Sequence, residues 1–253
     1  MARFKLIVAY DGTNYNGFAK QPNGITIQGL LEQAAEAILN QPIHVIGAGR
    51  TDTGVHAKAQ CCVFDATTSI PSNRLVKAIN AKLPKDVVVQ SVEEVSEDFH
   101  PRFGAKRKTY RYQIHNGQVQ DPFLYRYAYF YPYHLDVEKM QEAATYLVGE
   151  HDFVAFCSAG SSVKTTVRTI YSLKIVKEGD LIQIDICGNG FLYNMVRIIV
   201  GTLIEVGIGK KAPSSLKTII ESKERKLASP TAPPQGLMML NIEYEMKKED
   251  KIH

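Results

Sequence analysis

The segment Gly49-Arg50-Thr51-Asp52-Thr53-Gly54-Val55-His56 sets one carboxylate between a cation and a histidine, with glycines on either side. Glycine lets the backbone turn sharply and lets a ligand come close, so the segment reads as an exposed loop presenting Asp52 as a catalytic carboxylate. It also reads as a tight turn in which Asp52 bonds its own backbone, as Asp often does. Arg197 shifts the balance toward chemistry. It lies in a nearly all-apolar run from Phe191 to Val206, and a buried guanidinium needs an anionic partner because an unpaired buried charge is costly. Such an Arg would orient a carboxylate and keep it ionised, hence nucleophilic. The plainer alternative is an Arg on the polar side of its helix, near Asn194 in the helical register.

A third feature is Lys106-Arg107-Lys108-Thr109-Tyr110-Arg111-Tyr112. On a strand, Lys106, Lys108, Tyr110 and Tyr112 share one face. Cations that meet phosphates beside an aromatic that stacks a base are what RNA binding requires. A solvated edge strand guarded by Lys and Arg against aggregation has the same composition. His44, His56, His100 and His151 lack metal-ligand spacing and read as structural or RNA-facing. Cys61, Cys62, Cys157 and Cys187 form no C-x-x-C pair and no zinc pattern, so no metal site is expected. Walker, dinucleotide and G-x-S-x-G motifs are absent.

These residues need a frame. Phe4 to Tyr10 alternates as a strand, and Thr26 caps a helix running to Leu39 with apolar residues at Ile27, Leu30, Leu31, Ala34, Ala35, Ile38 and Leu39. A short strand over Ile43 to Ile46 leads into the Asp52 loop, and another follows near Gln60 to Asp65. Asn73 to Leu83 reads as a helix, and Val87 to Val95 and Lys106 to His115 as strands. Asp136 caps a helix bearing Val137, Met140, Ala143, Ala144 and Leu147. Thr169 to Val176 and Leu181 to Cys187 form a hairpin around Glu178-Gly179-Asp180. Phe191 to Val206 is a central apolar helix. A short helix over Ser214 to Ser222 precedes a basic, Pro-rich loop from Lys223 to Gly236, and Leu240 to Met246 is a last strand. Strands, helices and hairpins in this irregular order predict an α+β fold, a mixed, mostly antiparallel sheet with helices packed on one face. The division expected is a lobe over residues 1–115 with the catalytic loop, a second lobe over 116–246, and a charged tail over 247–253. Asn116 to Leu135 is the candidate connection, and the cleft between the lobes is the expected active site.

Composition fits this picture. The 253 residues are 45% hydrophobic and 22% charged, an ordinary globular balance. Net charge is +4 and the pI about 8.7, only mildly basic. Charge is concentrated, however: Arg102, Lys106, Arg107, Lys108 and Arg111 fall within ten residues without an acid. Met1 to Tyr10 lacks the apolar core of a signal peptide, and Gly190 to Gly209 carries Asn194, Arg197 and Glu205, a buried helix rather than a membrane span. The cysteine usage suits a reducing, cytoplasmic setting.

Taken in order, several segments resemble the tRNA pseudouridine synthase A family. They are Tyr10-Asp11-Gly12-Thr13, Gly49 through Ala57, His100-Pro101-Arg102-Phe103, Lys108 through Tyr112, Gly149-Glu150-His151-Asp152-Phe153, Gly190 through Arg197, and Ala232-Pro233-Pro234-Gln235-Gly236-Leu237. The resemblance spans almost the whole chain. It implies the pseudouridine synthase fold of two fused α/β lobes and isomerisation of uridine at positions 38, 39 and 40 of the tRNA anticodon arm. It also implies a homodimer in which one tRNA touches both subunits. The family's catalytic aspartate matches Asp52, the arginine paired with it Arg197, the base-stacking tyrosine Tyr110, and the arginine that helps extrude the base Arg50. His56, Lys106, Lys108, Phe103 and Leu237 are the further residues expected to contact substrate. The reaction involves no net redox change, so no cofactor is expected. Three positions depart from the family pattern: Thr53 after the aspartate, Phe18 where a tryptophan is common, and Asn194 for a frequent histidine.

Two other readings compete. One is an inactive RNA-binding or tRNA-folding protein on the same scaffold, for which an Asp–Arg pair is superfluous. The other is a metal-dependent nuclease or phosphatase using Asp11, Asp52, His56 and Asp65, which needs several ligands converging on one ion.

Overall fold

The computed structural model describes residues 1–160 and 163–245. In chain order its elements are β1 (Ala2–Tyr10), α1 (Ile27–Leu39), β2 (Ile46–Gly47), β3 (His56–Ala66), α2 (Ser72–Asn80), β4 (Val87–Val95) and β5 (Ala105–His115). These are followed by β6 (Tyr129–Phe130), α3 (Val137–Thr145), β7 (Gly149–Asp152), β8 (Val167–Glu178), β9 (Leu181–Gly188), α4 (Met195–Gly207), α5 (Ser215–Ser222) and β10 (Leu237–Tyr244). The architecture is α+β with mostly antiparallel strand pairs, as the alternation of helices and hairpins implies.

The chain forms two compact units, Met1–Lys106 with the chain from Met239, and Arg107–Met238. The chain thus passes between units after Lys106 and after Met238, whereas sequence placed one boundary at 115/116. Asn116 to Leu135, the expected connection, lies within the second unit. The expected tail, 247–253, falls outside the described residues.

In the first unit the strand order is β4-β1-β3-β10, with β2 beside β3. β1 runs antiparallel to both neighbours, so Leu6 faces Cys62 on one side and Val92 on the other. Alternation along β1 buries Phe4, Leu6, Val8 and Tyr10, the period expected of a strand with one face on a core. Cys61 and Cys62 are adjacent and buried on β3 and form no disulfide with each other. α1 starts where Thr26 Oγ1 accepts the Gly29 N–H at 3.3 Å and stops at Asn40, in the left-handed region with φ 49°.

One expected strand is largely missing. Ile43 to Val45 joins no sheet; of the expected strand and the residue after it, Ile46 and Gly47 pair, with Val63 and Cys62. The cause lies in α1. Glu36 and Glu32, one helical turn apart, accept the backbone N–H groups of Ile43 and Val45, each at 3.1 Å. Gln28 donates to the Val45 carbonyl at 3.1 Å. Helix side chains therefore satisfy the backbone groups that a sheet neighbour would otherwise take.

In the second unit the order is β5-β9-β8-β7, antiparallel throughout, with β6 parallel to β5. Tyr110, Tyr112 and Ile114 of β5 and Ile182, Ile184 and Ile186 of β9 are buried. On the opposite face Arg111 meets its register partner Asp185 through two hydrogen bonds of 2.7 and 2.8 Å. α3, capped by Asp136 as expected, packs on α4 and β8. The apolar helix begins at Met195 rather than Phe191, because Asn194 has φ 60° and a left-handed residue cannot continue a right-handed helix. The Lys223 to Gly236 loop contains single 3-10 turns at Arg225–Leu227 and Pro234–Gly236.

Candidate active site

The Asp52 loop is less exposed than its composition suggests. Ala48, Thr51 and Val55 are buried, Asp52 is half-buried, and Arg50 and Thr53 are exposed. The Val55 N–H closes a turn onto the Asp52 carbonyl at 3.1 Å, and Gly54 supplies the φ of 77° that its third position needs. The backbone therefore forms a tight turn whose first residue is the half-buried Asp52.

The loop is anchored on several sides. Gln60 Nε2 donates to the Gly49 carbonyl at 2.8 Å. The Tyr10 hydroxyl and Thr51 Oγ1 bond at 2.8 Å in a buried position. The Phe18 N–H donates to the Thr51 carbonyl at 3.1 Å, and the Gly54 N–H to the Tyr15 carbonyl at 3.3 Å. Tyr15 is itself held by a 2.5 Å bond to Asp86; burial, then that carboxylate, pushes its hydroxyl pKa up. Residues 10–18 thus form a cradle under the loop. Sequence reasoning did not single out Tyr10, Thr51 or Gln60, although Tyr10-Asp11-Gly12-Thr13 stood out as a motif.

His56, expected to contact substrate, is buried. It is 1% exposed, and its Nδ1 lies 3.0 Å from the Gly12 N–H and 3.1 Å from Asp11 Oδ1. Asp11 and His56 are two of the ligands that the metal-enzyme reading requires. A third, Asp65, is gripped by Arg3 through two bonds of 2.8 Å. Among the described residues no three His, Cys, Asp or Glu side chains converge as metal ligands.

Beyond β4, Phe103 is 78% exposed, with the His100 ring tilted against it at 4.3 Å between centroids and Arg102 at 5.9 Å over its face. Lys106 is exposed and pairs with Glu245 at 2.9 Å.

In the second unit α4 carries Arg197, half-buried rather than buried. Its Nε donates to the Ala232 carbonyl at 2.7 Å and its Nη1 to Asn194 Oδ1 at 2.9 Å. The Ala232 N–H returns a bond of 3.1 Å to the Arg197 carbonyl. Asn194, whose short side chain tolerates the left-handed region, also donates to Ser158 Oγ at 2.9 Å. The register neighbour expected of an ordinary surface Arg is therefore a device that holds the guanidinium.

On β5, Lys108 is half-buried and Tyr110 is 8% exposed, its ring edge-on to Phe191 at 5.2 Å. Tyr112 shares their face but is fully buried, and its hydroxyl donates to the Pro233 carbonyl at 2.7 Å. Burial drives its pKa up, and the Arg197 charge opposes that. Tyr112 is thus a core residue that seats the Pro233-Pro234 loop, not a base-stacking one. Leu237 is buried at the start of β10.

The family model described as "tRNA pseudouridine synthase" matches residues 6–104 and 143–245. Asp52 lies in the first matched stretch, and Arg197 and the Pro233 loop in the second. A tRNA pseudouridine synthase A of Brevibacillus brevis is 48% identical over 244 residues, 96% of this chain and 100% of that protein. Another from Exiguobacterium is 48% identical over 245 residues, 97% of this chain and 99% of its own. The chain belongs to the tRNA pseudouridine synthase family. Lys106, Lys108 and Tyr110 of this synthase lie between the two stretches of the family match, in a region that the whole-length relatives nonetheless cover. No helix of the synthase among the described residues is long and apolar enough to cross a membrane.

Proposed function

We propose that this chain isomerises uridine to pseudouridine in the tRNA anticodon arm, at positions 38, 39 and 40, with Asp52 as the reactive carboxylate. Membership of the family makes it an isomerase acting on tRNA uridine; an inactive binder finds no support among its relatives. The reaction breaks the bond from C1′ to N1, turns the uracil, and joins C5 to C1′. The C5 hydrogen leaves as a proton and N1 gains one, so atoms balance without a redox partner and no cofactor is invoked.

The observation that carries the Asp52 assignment is its setting: a half-buried carboxylate on a turn that is bonded to β1, β3 and the 10–18 cradle. A carboxylate so fixed is preorganised. It has three places to act: attack at C1′, addition to the uracil ring, or removal of a sugar proton. Each begins from the ionised form. Arg197 is assigned as the cation paired with it, as the resemblance implies. Tyr110 stacks the extruded uracil, while Arg50 fills the gap left by a base whose flipping costs a few kcal/mol. Phe103, Lys106 and Lys108 hold the RNA, Leu237 contacts the base, and the enzyme works as a cytoplasmic homodimer.

The test is tritium release from tRNA carrying C5-labelled uridine, wild type beside Asp52→Ala and Asp52→Asn, without added metal. Wild type should release label, and both variants should be inactive while still binding tRNA. Substantial release by either variant removes Asp52 from the chemistry. Mapping the product then reads the modified positions directly.

A further inference from the structure

His56 is fully enclosed, so it cannot meet RNA without the loop opening. Its Nδ1 faces one donor, the Gly12 N–H at 3.0 Å, and one acceptor, Asp11 Oδ1 at 3.1 Å. A single ring nitrogen serves only one of them: unprotonated it accepts from Gly12, protonated it donates to Asp11. The Asp11 oxygen already accepts from the Thr13 N–H at 3.0 Å and the Thr13 hydroxyl at 2.5 Å. The buried Gly12 N–H has His56 as its partner, and leaving such a group unbonded is costly. Gly12 also lies so close to the loop that a Cβ there would collide with the Val55 carbonyl. The Val55 N–H in turn closes the Asp52 turn. A continuous path therefore runs from the His56 ring through Gly12 and Val55 to Asp52.

We propose that His56 is a positioning residue for Asp52: its ring, neutral with the proton on Nε2, accepts the Gly12 N–H at Nδ1 and locks the 10–18 cradle against the catalytic turn. The inference rests on the reading that Asp52 carries the chemistry. His56 moves from the substrate-contacting set to the residues that act through another.

Side-chain amides separate the two ring nitrogens. Asn places its oxygen near the position of Nδ1, whereas Gln reaches toward Nε2. With the full chain and C5-labelled tRNA, His56→Leu and His56→Gln should lower kcat by about a hundredfold, the scale of a misplaced catalytic group, with KM within twofold. His56→Asn should restore most of that kcat. A raised KM with kcat intact in all three variants would return His56 to RNA contact. Equal kcat in Asn and Gln, whatever their thermal stability, would remove the Nδ1 bond from the mechanism. Should the variants not fold, long-range 1H–15N correlation on the wild-type enzyme reads the tautomer: an unprotonated, accepting Nδ1 is expected, and a protonated Nδ1 overturns the proposal. Asp52→Ala runs alongside. If it stays active, the reading of Asp52 fails; if it is dead while His56→Gln is unimpaired, only the positioning role fails.

Discussion

At the scale of single residues, Arg197 is held by a neighbour with an unusual backbone. Asn194 combines a backbone that few residues adopt with two side-chain bonds, one to Ser158 and one to the Arg197 guanidinium. A hydrogen bond to a charged group contributes about 1.5–3 kcal/mol. Asn194→Gly keeps the left-handed backbone and removes both bonds, so it isolates their effect from strain. It should lower kcat by roughly ten- to a hundredfold, from that energy at 1.36 kcal/mol per decade, while tRNA affinity stays close to wild type because the cation remains. Steady-state kinetics and a filter-binding titration check both halves; a loss of affinity with unchanged kcat would make Asn194 an RNA contact instead. Asp52 and Arg197 stand out in sequence as candidates because an acid between glycines and a cation in an apolar helix are both out of place. The burial of Tyr112 and His56 was not legible. Periodicity put Tyr112 on the face of Tyr110, but a strand that passes from the surface into the core buries successive residues of one face to different depths. A histidine's neighbours, likewise, lie far away in sequence: Gly12 is forty-four positions from His56.

At the scale of elements, most helices and strands follow their patterns, and the misses have local causes. Val87–Val95 falls where its pattern put it, and Thr26 and Asp136 cap the helices they were expected to cap. The shortened helix at Asn194 and the lost strand at Ile43 arise from interactions that a pattern of apolar residues does not carry. The second of these makes a prediction. Glu32 is 4% exposed. Burial pushes its pKa up, but bonds from Gln28, the Val45 N–H and Lys20 outweigh that and leave it below the ordinary 4.5. A carboxylate lowered on folding adds stability that is complete above its unfolded pKa and fades as pH falls through the folded one. Glu32→Gln keeps an acceptor for Val45 without the charge. Its stability deficit should be constant above about pH 5 and shrink as the medium is acidified below the ordinary carboxylate value. Urea melts of both proteins from pH 7 to pH 3 measure this; a deficit independent of pH would mean that the charge of Glu32 contributes nothing. Glu32→Ala, which orphans the Val45 N–H, should cost a further 1–3 kcal/mol or so.

At the scale of the whole molecule, a net charge of +4 is small for a protein that handles RNA, and what matters is which cations its own acids already engage. Arg111 is committed to Asp185 in a two-pronged, half-buried pair, Arg3 to Asp65, and Lys223 to Asp152. These belong to the fold. Lys106 differs: its ion pair with Glu245 joins two exposed side chains, and exposed pairs of this kind are held weakly, so a phosphate can displace the carboxylate. Lys217, equally exposed and paired with Glu221 one turn along α5, serves as the control outside the basic run. Each phosphate neutralised by a cation contributes about 0.7–0.9 to the slope of log affinity against log salt. Lys106→Ala should therefore weaken tRNA binding at low salt and flatten that slope by somewhat less than one, whereas Lys217→Ala should change neither. Titrations of labelled tRNA at a series of potassium concentrations give both slopes. Were Lys217→Ala to flatten the slope and Lys106→Ala to leave it alone, the RNA would follow α5 rather than the strand that carries Tyr110, and the stacking role of that tyrosine would lose its support.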